Sequence, residues 1–446
     1  MTIRGWLVIL LLILVGVGGT FAWLRFESEA PQIAGPESVV LGGQGGNVAL
    51  ELSDAGAGLR SVQVVLLHAA GELDLLSESY PGSTTQGAQA GKIPVSLEIA
   101  IEPDALPRAV TEAFLRVRVR DWSLRDSLRG NLAELKVPIS IDRRPPRVAI
   151  TTGLTYVRRG GSGVVRYELD EETARDGVQV GETFFPGYEM NGSRVAFYAI
   201  PTDTPDSPEL RVIAEDTAGN VARARWPVVV KERVLPVANV TLPPSFLDTT
   251  VPDLAASVGI DASDPTAAFA QINTELRAAN ERTIREALAE SAPERLWQGA
   301  FSQLANSKVT SRFAERRTYF VGGQPVSKAT HFGYDLASTR AAPIGAAARG
   351  RVAFADELGI YGNCVLLDHG LGLASLYGHL SRLDVQAGDS VEAGQSLGLS
   401  GATGLAGGDH LHFAVLIGEA YVDPIEWWDE KWVRENIEAR LPTPAP

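Results

Sequence analysis

The chain has 446 residues and a formal charge of -14, enough length for two to four domains and the wrong sign for nucleic-acid phosphates. With 45% hydrophobic and 21% charged residues it can build packed cores. Its single cysteine, Cys364, excludes an intramolecular disulfide and any CxxC metal or redox pair.

At the N-terminus, Trp6 to Leu24 is a run of nineteen residues without a charge. As a helix it would reach about 29 Å, the hydrocarbon thickness of a bilayer. Arg4 precedes it; Arg25, Glu27 and Glu29 follow. Trp6 and Trp23 mark the two ends, where interfacial aromatics belong. The expectation is a cytoplasmic stub and single-pass transmembrane helix within 1–30, with the rest of the chain outside the cytoplasm. A signal peptide cleaved near Thr20-Phe21-Ala22 is the alternative.

Two segments then repeat each other. In 31–145, Asn47-Val48-Ala49-Leu50-Glu51-Leu52-Ser53-Asp54 alternates like a strand and ends in an acidic turn. In 146–231, Val164-Val165-Arg166-Tyr167-Glu168-Leu169-Asp170 stands in the matching place. Leu115-Arg116-Val117 leads to Asp121 as Leu210-Arg211-Val212 leads to Asp216, and Gly130-Asn131 parallels Gly219-Asn220. Short alternating strands between Gly, Asp and Asn turns predict two β-sandwiches, and the pair resembles tandem bacterial immunoglobulin-like domains. Neither holds a reactive cluster, and the lone His68 reads as a surface residue. The repeats are expected to serve as a spacer or docking arm, so that a chain starting near Asp264 would keep its function.

Residues 232–304 form a linker and helical connector. The part up to 264 reads as irregular. Asp264-Pro265 then opens a helix, with Asp as N-cap and Pro in the first turn. Phe269, Ile272, Leu276, Ala279 and Thr283 are expected on one face. After Pro293 a second short helix is predicted through Leu296 and Trp297. The pattern returns to strands and glycine turns across 305–430, followed by a tail, 431–446.

Five of the six histidines lie between 331 and 412. His331-Phe332-Gly333-Tyr334-Asp335 is an H-x-x-x-D, whose spacing calls for a bend that Gly333 would permit. His379 stands in Tyr377-Gly378-His379-Leu380, and His410-Leu411-His412 is an H-x-H. On a strand both imidazoles of an H-x-H leave one face, so one can ligate a metal while its neighbour faces the open position. Histidine nitrogen and carboxylate oxygen suit zinc, which needs three protein ligands and one open site for catalysis.

These residues resemble the lysostaphin-type, or LytM-like, zinc metallopeptidases. The resemblance runs over about 305–425 and takes in Gly362-Asn363, Asp368-His369-Gly370, Gly401-x-Thr403-Gly404 and Val422-Asp423-Pro424. It implies an antiparallel-β peptidase domain with Zn2+ held by His331, Asp335 and His412, and with His379 and His410 as the catalytic histidines. Phe313-Ala314-Glu315-Arg316 departs from the family's Phe-Gly-x-Arg by placing alanine where a glycine is usual. His369 and Cys364 are expected to be structural. The fold class is then mainly β: a transmembrane helix, two sandwiches, a helical connector and the peptidase domain. The implied function is a membrane-anchored metalloendopeptidase cutting peptide cross-links of peptidoglycan, in the periplasm at the bacterial inner membrane, with a cell-envelope protein as a further partner. The alternative is a LytM-like regulator that activates a separate cell-wall amidase. A biotinyl or lipoyl carrier role is excluded, because 329–430 holds no lysine to modify.

Overall fold

The computed structural model describes residues 3–205 and 208–443, without side chains at 3–5, 7, 8, 21–25 and 103. The chain is mainly β, with 44% of residues in strands and 18% in helices. Ile3–Arg25 is one helix of 23 residues. Among the described residues no helix is long and apolar enough to cross a membrane. Within the expected Trp6–Leu24 span the side chains at 7, 8 and 21–24, and beside it those of Arg4 and Arg25, lie outside the described ones.

Two compact units divide the chain, the first being 1–146 with 172–174 and 215–221. Within it a five-stranded sheet runs in the order Val39–Leu41, Leu132–Ile141, Glu112–Asp121, Leu59–His68, Gly71–Ser79, beside a three-stranded sheet of Gln32–Ala34, Gly46–Ser53 and Val95–Ile101. Burial alternates along Gly46–Ser53 and Glu112–Asp121 as their apolar periodicity requires. Val48, Leu50 and Leu52 of one sheet join Leu115, Val117 and Val119 of the other in a single core.

The second unit holds 147–171, 175–214 and 222–446. Here the second repeat and the C-terminal strands share one apolar core. Phe197, in strand Ser193–Ala199, packs its ring 5.6 Å from Trp297 and 6.3 Å from Trp427. Glu426 accepts a hydrogen bond from the Ser162 amide at 3.0 Å. Within this unit Phe197 of the second repeat thus packs in the same core as the C-terminal strands, and a chain starting near Asp264 would leave Trp297 and Trp427 without that partner.

That sheet follows the order Lys308–Ser311, Tyr334–Ala337, Leu411–Ile417, Leu373–Leu380, Asn363–Gly370, Gly350–Glu357, Ser390–Val391, with Ala420–Val422 paired to Leu411–Ile417. Its central strands Leu373–Leu380 and Leu411–Ile417 are buried along their whole length.

The connector departs from expectation in two places. Val237–Thr241 is a strand, parallel to Glu315–Val321, rather than irregular. Leu296-Trp297 is not helical, because the Leu296 amide donates to the His369 carbonyl at 2.9 Å instead of to its own segment. The Asp264 cap is as predicted: its side chain accepts from the Thr266 and Ala267 amides. The helix that follows is interrupted by a π-helical turn at Ile272–Leu276. The turn shifts the buried face, so that Asn280 and Ile284 are buried along with Phe269 and Ile272, while Leu276 and Ala279 are only half-buried.

Candidate active site

Register brings the site together. Asp335 and His412 are direct cross-strand partners, and His412 faces Gly378 on its other side, next to His379. His331 ends the strand Gln324–His331 and pairs with Glu315. The side chains meet in a triangle: His331 Nε2 lies 2.9 Å from Asp335 Oδ1 and 3.0 Å from His412 Nδ1, which is 2.9 Å from the same Oδ1. All three residues are buried.

These donors fit zinc. Ligands about 2.0–2.1 Å from a tetrahedral centre stand about 3.3 Å from one another, slightly wider than the triangle seen here. The chemistry agrees: the His331 Nδ1–H donates to the Arg312 carbonyl at 3.0 Å, leaving the Nε2 lone pair directed at the site. Among the described residues the buried His412 Nε2 has no hydrogen-bond partner, consistent with a ring turned to present Nδ1. Burial would raise the Asp335 carboxyl, but the surrounding histidines outweigh it and hold it well below the usual carboxylate range. His412 is pushed down to about 4, first by burial, so its ring is neutral and free to ligate.

The two remaining histidines face the triangle without joining it. His410 Nε2 is 3.6 Å from Asp335 Oδ1, and its Nδ1–H donates to the Gly408 carbonyl at 2.7 Å. The His379 Nδ1–H donates to the Thr403 carbonyl at 2.9 Å. A carbonyl only accepts, so in the neutral rings both Nε2 atoms are acceptors. The two rings are 4.7 Å apart. Burial, then His410 and His412, lower His379 to about 3. Burial also lowers His410, but the Asp335 carboxylate prevails and raises it.

Glycines and turns fix this geometry. Gly333 makes no positive-φ bend; instead a Cβ there would stand 2.6 Å from the His412 ring, so only glycine lets the two approach. Gly362 (φ +60°) packs against Thr403, whose carbonyl orients His379 and whose hydroxyl donates to the Leu380 carbonyl. Ala314 adopts φ +63°, the conformation for which a glycine is usual, and its amide donates to the His331 carbonyl at 2.7 Å. His379 itself has φ +65°, a strained backbone at a functional position.

His369 is fully buried, with Nδ1 bonded to the Arg349 carbonyl and Nε2 to the Ser375 hydroxyl. Cys364 is fully buried as well, and burial pushes its thiol up. Both are structural, as read from the sequence.

Sequence reasoning missed three contributors. Arg317 donates to Asp335 Oδ2 at 3.4 Å and pairs with Glu315 at 2.8 Å. Tyr361 lines the cleft, with its hydroxyl bonded to Glu281. The cleft, of about 400 Å³, is walled on one side by 240–250 of the connector and also exposes Arg277. Only the strand alternation of Val237–Thr241 could have hinted at that wall.

The model of "Peptidase family M23" matches residues 329–424. The DD-carboxypeptidase/endopeptidase Mpg of Neisseria meningitidis is 38% identical over 95 residues, which are 21% of this chain and 22% of the relative. The peptidoglycan DD-endopeptidase ShyB of Vibrio cholerae is 34% identical over 122 residues, 27% of this chain and 28% of the relative. The chain thus spans about a quarter of the length of these two curated relatives. The lipoprotein NlpD of Yersinia enterocolitica is 34% identical over 98 residues, 22% of this chain and all of the relative. Through residues 329–424, which carry the whole histidine–aspartate constellation, the chain belongs to peptidase family M23.

Proposed function

We propose that the chain is a zinc metalloendopeptidase that hydrolyses peptide cross-links of peptidoglycan. The observation that carries this reading is the convergence of His331 Nε2, Asp335 Oδ1 and His412 Nδ1, with two further histidines facing the same point. A zinc ion held there would supply Lewis acidity to the scissile carbonyl and to the attacking water. The chain supplies the rest. His379 and His410 present Nε2 acceptors, one to take a proton from the water and the pair to return one to the departing amine. The amide C–N bond breaks, and water is divided between the new carboxylate and the amine. Arg317, donating to Asp335 Oδ2, helps to orient that carboxylate.

Relatives named peptidoglycan DD-endopeptidases support the same substrate. The complete ligand set supports an active enzyme over a regulator of a separate amidase. The envelope location, with the N-terminal helix as attachment and a further envelope protein as partner, rests on the uncharged run at 6–24 alone. Incubating the zinc-loaded chain with peptidoglycan and identifying products by mass spectrometry tests the activity. New amine and carboxyl ends at stem peptides are expected; intact peptidoglycan would turn the reading to the regulator. A C-terminal reporter active only in the cytoplasm should be silent, and a working one would overturn the location.

A further inference from the structure

We propose that Glu27, Asp54 and Asp121 form a calcium site in the first unit, remote in sequence from the peptidase residues. Each offers a carboxylate oxygen, and the three atoms lie within 4.8 Å of one another. They come from three separate stretches: just after the N-terminal helix, the turn after Gly46–Ser53, and the end of Glu112–Asp121.

Two of the three are placed with little freedom. Asp121 is fully buried; its Oδ1 accepts from the Ser123 and Asn131 amides at 2.9 and 2.7 Å, and its Oδ2 from Asn131 Nδ2 at 2.8 Å. Asp54 is only 8% exposed, and its Oδ1 accepts from the Gly56 amide at 2.8 Å. Its Oδ2 is buried and, among the described residues, has no hydrogen-bond partner. A carboxylate oxygen taken out of water with nothing to replace it is costly, and here it sits in a cluster with two more carboxylates. A cation answers both the desolvation and the like-charge crowding. The Asp54 carboxyl accordingly sits above its ordinary range, through burial first and the neighbouring Asp121 charge after it. Glu27 reaches the cluster over Gly56, where any Cβ would collide with its carboxylate.

The donor set is oxygen only, which selects a hard cation over zinc. Calcium accepts irregular geometry and completes its shell with water, whereas magnesium demands a near-ideal octahedron. Glu27 is half-buried, and its Oε1 accepts from the Ala57 amide at 2.5 Å, which holds the carboxylate at the cluster. The sequence repeat carries the same device: Asn220 donates from its amide and from Nδ2 to Asp216 at 2.8 Å each, as Asn131 does to Asp121. Bound calcium would tie the segment after the helix to the sandwich.

The test is calcium binding to the zinc-saturated full chain, followed by equilibrium dialysis and thermal melting, against Asp54→Asn and Glu27→Gln. The parent should bind calcium and melt higher with it. Each variant should lose one calcium per chain, or bind it at least tenfold more weakly. In calcium-free buffer Asp54→Asn should melt at or above the parent, because a crowded charge is gone. Should Asp54→Asn not fold, Glu27→Gln carries the test, since Glu27 is less buried than Asp54 and the change keeps its size. No binding to the parent by about 1 mM calcium, the weak end for extracellular modules, would overturn the proposal, as would unchanged stoichiometry and affinity in the folded variants.

Discussion

Replacing His412 by alanine should abolish metal binding and hydrolysis together, whereas replacing His379 should spare the metal. In the structure His412 Nδ1 is one corner of a triangle with 2.9 and 3.0 Å edges, so its loss leaves two donors and an open side. Asp335 would also lose one of the three histidines that hold it ionised. His379 makes no contact with Asp335; its ring lies 5.9 Å from that of His412, and its anchor is the Thr403 carbonyl. Its removal deletes a proton acceptor, worth roughly 10²–10⁴ in rate, or about 2.7–5.4 kcal/mol of barrier at 1.36 kcal/mol per tenfold. His331→Ala should follow His412→Ala, and His410→Ala should follow His379→Ala. The assay is zinc content by atomic spectroscopy beside turnover of a cross-linked muropeptide. Zinc retained by His412→Ala but lost from His410→Ala would show the H-x-H roles to be reversed. Full activity in all four variants would refute the mechanism.

Three further outcomes are expected. Glu426, buried against Ser162, is raised from 4.5 to about 7, first by burial. Its folded pKa exceeds the unfolded one, so its stability contribution is complete below about 4.5 and is lost as pH rises through 7. The shift of 7 − 4.5 units amounts to roughly 3 kcal/mol. Glu426→Gln should flatten chemical-denaturation stability across that window and raise it at pH 8; an unchanged pH profile would contradict the burial argument. Phe197→Ala should destabilise the second unit by about 3–5 kcal/mol, read as a lower melting temperature of that unit, although Phe197 lies outside the family-matched segment; an unchanged value would restore the detachable spacer. His369→Leu should leave zinc stoichiometry intact while costing about 1–3 kcal/mol through the unpaired Arg349 carbonyl and Ser375 hydroxyl; loss of zinc with the fold retained would make His369 part of the site.

Much of this protein was legible in one dimension because the signals are short-range. Strand alternation predicted the two sheets of the first unit. The same alternation put His410 and His412 on one face, and the H-x-x-x-D spacing needed only one turn between strands. The Asp264 cap is likewise a matter of four consecutive residues, and its hydrogen bonds are those the sequence predicts. What the sequence could not convey were pairings between distant segments, for which no local periodicity exists. Val237–Thr241 becomes a strand because Glu315–Val321 offers it a parallel edge. Leu296-Trp297 stays out of a helix because the His369 carbonyl captures the Leu296 amide. Arg317 reaches Asp335 only through the register that pairs Glu315 with His331. Residue type and spacing drew attention to the histidines and Asp335 as candidate metal ligands, and the resemblance to LytM-like peptidases implied which of them would ligate. Tertiary packing decided what walls the cleft above them and which aromatic residues of the second repeat support the sheet below, because burial and hydrogen bonding are satisfied across the whole chain rather than within each segment.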